Sequence, residues 1–330
     1  MNEKYVEALE QYELEALSVR RGRGAWICET DQGFRLLKEY RGTVRRLEFE
    51  DQVLEELKPH PGLRVDRYIH NREGSILSIT GDGTRYVLKE WYADRECDLN
   101  NQEEICLALS RLALLHRALR EVKIREEWNL GSILTEPLKE ELNRHNRELV
   151  RARNFIRSKR GKTEFELCVI ESYDCFYAQA RRAARLMEEL WSLGGGLPSY
   201  LCHGDLDHHH LLMGKGFTAV IGFNRMHLGL QVVDLYRFMR KVMEKHDWDV
   251  ELGISMLKAY EGELPLTAGE RKALYCLFLY PEKYWKQINF YYNNNKAWIP
   301  ARNTEKLRRL KEQQTVKERF LEVVYNPFSL

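Results

Sequence analysis

Four of the ten histidines fall within eight residues, in the run Cys202-His203-Gly204-Asp205-Leu206-Asp207-His208-His209-His210. Imidazoles and carboxylates at this density offer two kinds of chemistry: proton transfer near neutral pH and ligation of a cation. A short apolar strand, Thr218-Ala219-Val220-Ile221-Gly222-Phe223-Asn224, follows, and Val232-Val233-Asp234 opens a helix. Three other groups carry chemical potential. Gly22 and Gly24 in Arg20-Arg21-Gly22-Arg23-Gly24 allow close backbone approach to a phosphate, or simply a turn. Lys38 ends a strand, and Glu50 lies on the next helix with Leu54 and Leu57 at helical spacing behind it. Lys89 leads into Glu90-Trp91-Tyr92.

The elements that must hold these groups change character along the chain. Residues 1–95 read mainly as strands and turns and 96–330 mainly as helices, with no Pro/Ser-rich linker and no internal repeat, so the expected class is α+β. Ala25–Thr30 and Phe34–Tyr40 flank a Gly-containing turn as one hairpin, and 75–79 with 85–91 form a second. Between them Phe49, Val53, Leu54 and Leu57 fall at helical spacing. Beyond Asp98 the stripe Ile105, Leu109, Leu112, His116 predicts a buried helix, with Asn101 and Glu104 placed as a capping box. Two long helical patterns cover 138–160 and 164–192, the second closed by Gly194-Gly195-Gly196. Thr267 with Glu270 starts another helix, which Pro281 ends after Tyr280.

Composition narrows the function classes. Across 330 residues, 52 Lys and Arg stand against 50 Asp and Glu, a net charge of +2, so neither nucleic acid nor an acidic membrane surface is the expected partner. The seven cysteines, at 28, 97, 106, 168, 175, 202 and 276, form no CxxC pair and fit a reduced compartment. No run reaches the ~20 apolar residues of a membrane span, and the acidic N-terminal stretch is unlike a signal peptide.

A β-rich part with a strand Lys, a helix Glu, a His-x-Asp loop and a following strand matches the order of parts in kinase-type phosphotransferases. His203-Gly204-Asp205 resembles the HGDxxxxN loop of the aminoglycoside phosphotransferase and choline kinase group. With Tyr86-Val87-Leu88-Lys89-Glu90-Trp91, the basic 138–170 segment, Pro281-Glu282-Lys283-Tyr284-Trp285-Lys286, Tyr291-Tyr292-Asn293 and Trp298-Ile299-Pro300, it looks like the CotS-type spore coat proteins within that group, over roughly residues 15–325. The resemblance implies a two-lobed protein kinase-like fold, with a nucleotide-clamping lobe at 1–95 and a helical lobe at 96–330 that carries the acceptor side. It further implies that Asp205 orients the acceptor hydroxyl, His203 braces the loop, and Asp234 ties the loop to the following helix. Lys38, paired with Glu50, would hold the α/β phosphates of ATP or GTP. Gly22 and Gly24 would approach them, and the backbone at Glu90 and Trp91 would meet the base.

Departures from the family pattern fall on the metal. An Asn five residues after the catalytic Asp and an Asp before the Phe would supply oxygens to Mg²⁺ or Mn²⁺. This chain has His210 and Gly222 there. Imidazole is a poor ligand for a hard cation, and glycine brings no side chain. Asp207, and less well Asn224, are substitute oxygen donors, with Asp207 and His210 the nearest candidates for a weakened metal site. A transition metal held by Asp205 with His208, His209 and His210 is a further reading, opposed by the tendency of adjacent histidines to point apart. Nine aromatic rings between Tyr275 and Trp298 read mainly as helical core, with some left for an acceptor pocket or a protein-binding surface. The leading expectation is a catalytically impaired, kinase-fold, spore coat-associated protein acting as scaffold or nucleotide binder, in the mother-cell cytoplasm or the coat. The alternative is an active, atypical phosphotransferase on a sugar or aminoglycoside-like hydroxyl.

Overall fold

The computed structural model describes residues 4–325 apart from 59, 61, 93–94, 129–130, 132, 193–196 and 293–300. Gly194–Gly196, Asn293 and the Trp298-Ile299-Pro300 segment therefore lie outside the described residues. Contacts divide the chain into two compact units: Met1–Leu134 with Tyr200–Gly229 and Gly262–Leu264, and Thr135–Ser199 with Leu230–Glu261 and Pro265–Leu330. Residues 96–134 and 200–229, which the resemblance places in the helical lobe, fall in the first of these units.

In the first unit, α1 (Lys4–Leu9) precedes a meander of β1 (Ala16–Gly22), β2 (Ala25–Thr30) and β3 (Gly33–Glu39). The hairpin expected over β2 and β3 is present, with Trp26 opposite Leu37 and Thr30 opposite Gly33. The strand β1, which sequence reading missed, pairs with β2 through a two-residue turn at Arg23-Gly24, both at positive φ. Next come α2 (Val44–Glu56), capped by the Thr43 side chain, then β4 (Arg64–Val65), β5 (Tyr68–Ile69), β6 (Ser78–Ile79), β7 (Arg85–Glu90) and β8 (Arg95–Glu96). The larger sheet runs β1-β2-β3-β7-β5, with β6 also on β7, so β7 lies inside it and is buried along most of its length. The stripe after Asp98 forms α3 (Gln102–Glu121), in which Ile105, Leu109, Leu112 and His116 are all buried. Asn101 caps it by accepting from the Glu103 and Glu104 amides, but Glu104 turns to Arg95 and the Asp98 amide instead of closing the box. The His-rich run lies between β9 (Tyr200–Cys202) and β10 (Leu211–Gly214), followed by β11 (Phe217–Val220) and β12 (His227–Gly229). A smaller sheet runs β4-β11-β10-β8, and β12 pairs with β9.

The second unit is helical: α4 (Leu138–Ser158), α5 (Glu164–Ser192), α6 (Val232–Lys245), α7 (Val250–Glu261), α8 (Ala268–Leu279), α9 (Glu282–Tyr292), α10 (Ala301–Glu312) and α11 (Gln314–Tyr325). Thr267 and Glu270 form the full capping box on α8, and the helix stops before Tyr280-Pro281 as the proline requires. The aromatic segment is mostly core. Tyr275, Phe278, Tyr280, Tyr284 and Tyr291 are buried, and the Tyr284 hydroxyl donates to the Val169 carbonyl of α5. Trp285 and Tyr292 are partly exposed and, with Phe155 and Ile288, line a cavity of about 300 Å³. Among the described residues no helix is long and apolar enough to cross a membrane.

His145 of α4 is buried against Trp285, ring centroids 3.5 Å apart. Burial, reinforced by the charge of Arg144, lowers its pKa from 6.5 to about 4. The unfolded chain thus binds a proton there between pH 6.5 and 4 that the folded chain refuses. Stability from this residue is complete above pH 6.5 and falls by about 3 kcal/mol as pH drops towards 4. His145→Phe, which keeps a ring on Trp285 without a titrating group, is expected to flatten the acid limb of a Tm-versus-pH curve. An unchanged limb would contradict this assignment.

Candidate active site

The site is built around the turn that follows β11. Gly222 has φ +85, a left-handed conformation, and caps the 3₁₀ turn Phe223–Arg225. A Cβ at this position would lie 2.5 Å from His210 Cδ2, so the imidazole occupies the space a side chain would need. His210 is fixed there by Asp207, whose Oδ1 lies 2.9 Å from His210 Nδ1 and also accepts the His209 amide at 2.9 Å. Asp207 and His210 are therefore brought together, with Asp207 serving as cap and brace of the turn His208–His210.

His203 is fully buried, and its Nε2 lies 2.9 Å from the Ile221 carbonyl, joining the loop to the end of β11. The ring also packs on His210 and Phe223. Gly204 has φ +86, and a Cβ there would sit 2.1 Å from the Arg225 carbonyl oxygen, so only glycine lets the loop pass this backbone. Asp205 is held out from this packed base: its side chain is 54% exposed, with Arg225 Nε 3.6 Å from Oδ2. An exposed carboxylate on a braced loop can accept a proton from an incoming hydroxyl. Asp234 lies fully buried in the first turn of α6, where the helix N-terminus favours an anion.

The expected Lys38–Glu50 pair does not form. Lys38 is exposed near the end of β3, whereas Glu50, 2% exposed, accepts from Arg46 Nε at 2.6 Å and from the Tyr68 hydroxyl at 2.7 Å. Arg46 reaches on to the Met226 carbonyl at 2.6 Å, tying α2 to the segment after Gly222. Among the described residues of this unit the buried lysine is Lys89. Its Nζ lies 2.7 Å from Asp66 Oδ2 and over the Tyr68 ring, and both carboxylate oxygens of Asp66 accept the Gly222 amide at 3.1 Å. Burial and the adjacent Glu50 push the Tyr68 hydroxyl well above its ordinary pKa, keeping it a donor. Sequence reading missed Asp66, Tyr68 and Arg46. Their only signal was a lysine in a strand apolar on both faces, which demands a buried counter-charge.

The groups expected to meet a base and phosphates are engaged within the unit. The Glu90 amide donates to Arg67 O at 2.8 Å and the Trp91 amide to Phe34 O at 3.1 Å. The Glu90 carboxylate is gripped by Arg67 through Nε and Nη2. The Trp91 indole, 8% exposed, belongs to one apolar cluster with Ile27, Leu36, Leu212 and Ile221. Gly22 is paired within the hairpin, and Gly24 forms its turn. Arg23, between them, donates to the His209 carbonyl at 3.0 Å, pairs with Glu96 and lies over the Trp91 ring. His208 and His209 do not diverge as adjacent histidines were expected to: their rings are 3.8 Å apart, and with Glu96 they place three ligand atoms within 4.8 Å of one another. Asp205 and His210 are not in that group. Glu96 was missed because 113 residues separate it from His209.

A model of the phosphotransferase enzyme family, APH, matches residues 15–273, most of the chain. The chain belongs to that family. Spore coat protein S of Bacillus subtilis strain 168 is 23% identical over 311 residues, covering 92% of this chain and 88% of that protein. Among solved structures, an aminoglycoside phosphotransferase from Alicyclobacillus acidocaldarius superposes with a TM-score of 0.83 at 16% identity, over 96% of this chain and 94% of that one. A microcompartment-associated aminopropanol kinase gives 0.62 at 15% identity, over 96% and 97%. A spectinomycin phosphotransferase, solved with ADP and spectinomycin, gives 0.58 at 12%, over 97% and 95%. The phosphotransferase family thus accounts for the fold expected from the HGD loop: an α+β, kinase-like arrangement with a β-sheet N-terminal region and a mostly helical C-terminal region.

Proposed function

We propose that this phosphotransferase-family chain is a spore coat-type protein with impaired Mg²⁺-ATP chemistry, acting as a scaffold or a nucleotide binder. The observation that carries this reading is the Gly222–His210 pair: one position offers no side chain, and the other fills the space that a carboxylate there would need. Mg²⁺ takes near-octahedral oxygen coordination. The donors at this turn fit it poorly, because His210 presents nitrogen and Oδ1 of Asp207 is taken up by His210 and the His209 amide. Without a cation bridging the phosphates, transition-state charge goes uncompensated by several kcal/mol. The likeness to spore coat protein S supports the coat assignment, and relatives solved with ADP, AMP-PNP or GDP support retained nucleotide affinity.

The test is thermal stabilisation by ATP and GTP in EDTA, Mg²⁺ and Mn²⁺, followed by phosphate release. At millimolar nucleotide a ~10 μM site would stabilise by about 2.7 kcal/mol. The expected result is a shift of equal size with and without the cation, and phosphate release at the buffer rate. Turnover in Mg²⁺ that disappears in Asp205→Ala would overturn the impaired reading in favour of an active phosphotransferase using that carboxylate as proton acceptor.

A further inference from the structure

A groove along α4 and α5 in the helical unit, about 1190 Å³ in volume, is lined by six arginines and only three glutamates. The whole chain carries a net charge of only +2, so this is a local concentration. Two of the arginines have partners: Arg144 bonds Glu136 and Glu148, and Arg185 reaches Glu189 at 3.6 Å. Glu148 is doubly committed, since it also accepts from Trp285 Nε1 at 2.8 Å. Arg147, Arg151, Arg181 and Arg182 are exposed, and among the described residues no ion pair engages them. Arg147 with Arg151, and Arg181 with Arg185, are like-charged pairs four residues apart on one helix, an arrangement that weakens a helix unless an anion offsets it.

We infer that this groove binds an extended acidic peptide segment of a partner protein, independently of the phosphotransferase site. The lining on α4 runs from Glu140 to Arg151, about 16 Å at 1.5 Å per residue. An extended segment of five residues covers about the same length, and its alternate side chains, about 7 Å apart, nearly match the roughly 6 Å rise between arginines four apart. Guanidinium forks pair with carboxylates through two parallel hydrogen bonds, which favours arginine over lysine for this task. A small multivalent anion would leave most of so long and open a groove uncovered.

Fluorescence anisotropy of a fluorescein-labelled hexaglutamate peptide with the full chain tests the inference. Saturable binding that weakens with added NaCl is expected, with none for hexalysine or a Ser-Gly peptide. Arg147→Gln with Arg182→Gln is expected to weaken it by about 10-fold, the Lys pair at the same positions by less, and the exposed control Arg160→Gln not at all. Circular dichroism confirms that each variant is folded. Absence of hexaglutamate binding, equal affinity in the Gln double variant, or tripolyphosphate binding without hexaglutamate binding would each overturn the inference.

Discussion

Asp66→Asn is expected to destabilise the strand-rich unit by about 3–5 kcal/mol, the usual cost of stranding one member of a buried ion pair. Asp66 is 3% and Lys89 6% exposed, and their charged atoms are 2.7 Å apart. An asparagine can still accept the Gly222 amide but cannot neutralise the ammonium, which stays over the Tyr68 ring with no counter-charge in contact. Urea denaturation monitored by circular dichroism would read the loss. Adding Lys89→Met removes the stranded charge and should recover much of it, because no buried ion is then left to desolvate while the asparagine still accepts the Gly222 amide. A loss below about 1 kcal/mol, or no recovery in the double variant, would refute the role given to this pair.

Gly222→Asp is the second large effect. Two terms add: a side chain at φ +85, tolerated by aspartate better than by most residues, and a Cβ 2.5 Å from His210 Cδ2. The single variant should lose about 2–3 kcal/mol, as overpacking and backbone strain together imply. Combining it with His210→Asn exchanges the ring for a smaller oxygen donor and should relieve the crowding. If the register read from the HGD loop holds, the double variant acquires nucleotide binding strengthened about 10-fold by Mn²⁺, a change of ~1.4 kcal/mol. Thermal shifts with and without Mn²⁺ read both quantities. A double variant no more stable than Gly222→Asp, with cation-independent binding, would count against the register.

Elements with local signals were legible in the sequence. Thr267 and Glu270 lie three apart ahead of an apolar run, and Pro281 cannot continue a helix, so α8 was bounded at both ends. The stripe through Ile105, Leu109 and Leu112 similarly marked α3. The site was read only in part, because its decisive contacts join distant residues of weak pattern. Lys38 and Lys89 both sit in strands, and proximity to the Glu50 helix favours the first. Burial favours the second, through Asp66 and Tyr68 on two-residue strands and connections too short to show alternation. The departure at Gly222 was visible as composition, yet that His210 fills the gap follows only from the left-handed backbone and the turn capped by Asp207.

The clasp made by Arg23 bears on rates. Its guanidinium holds the first hairpin turn to the His209 carbonyl and to Glu96 while lying over Trp91. A ligand entering beneath that turn would have to part these contacts, so Arg23→Ala is expected to raise its association rate, as a stopped-flow measurement would read.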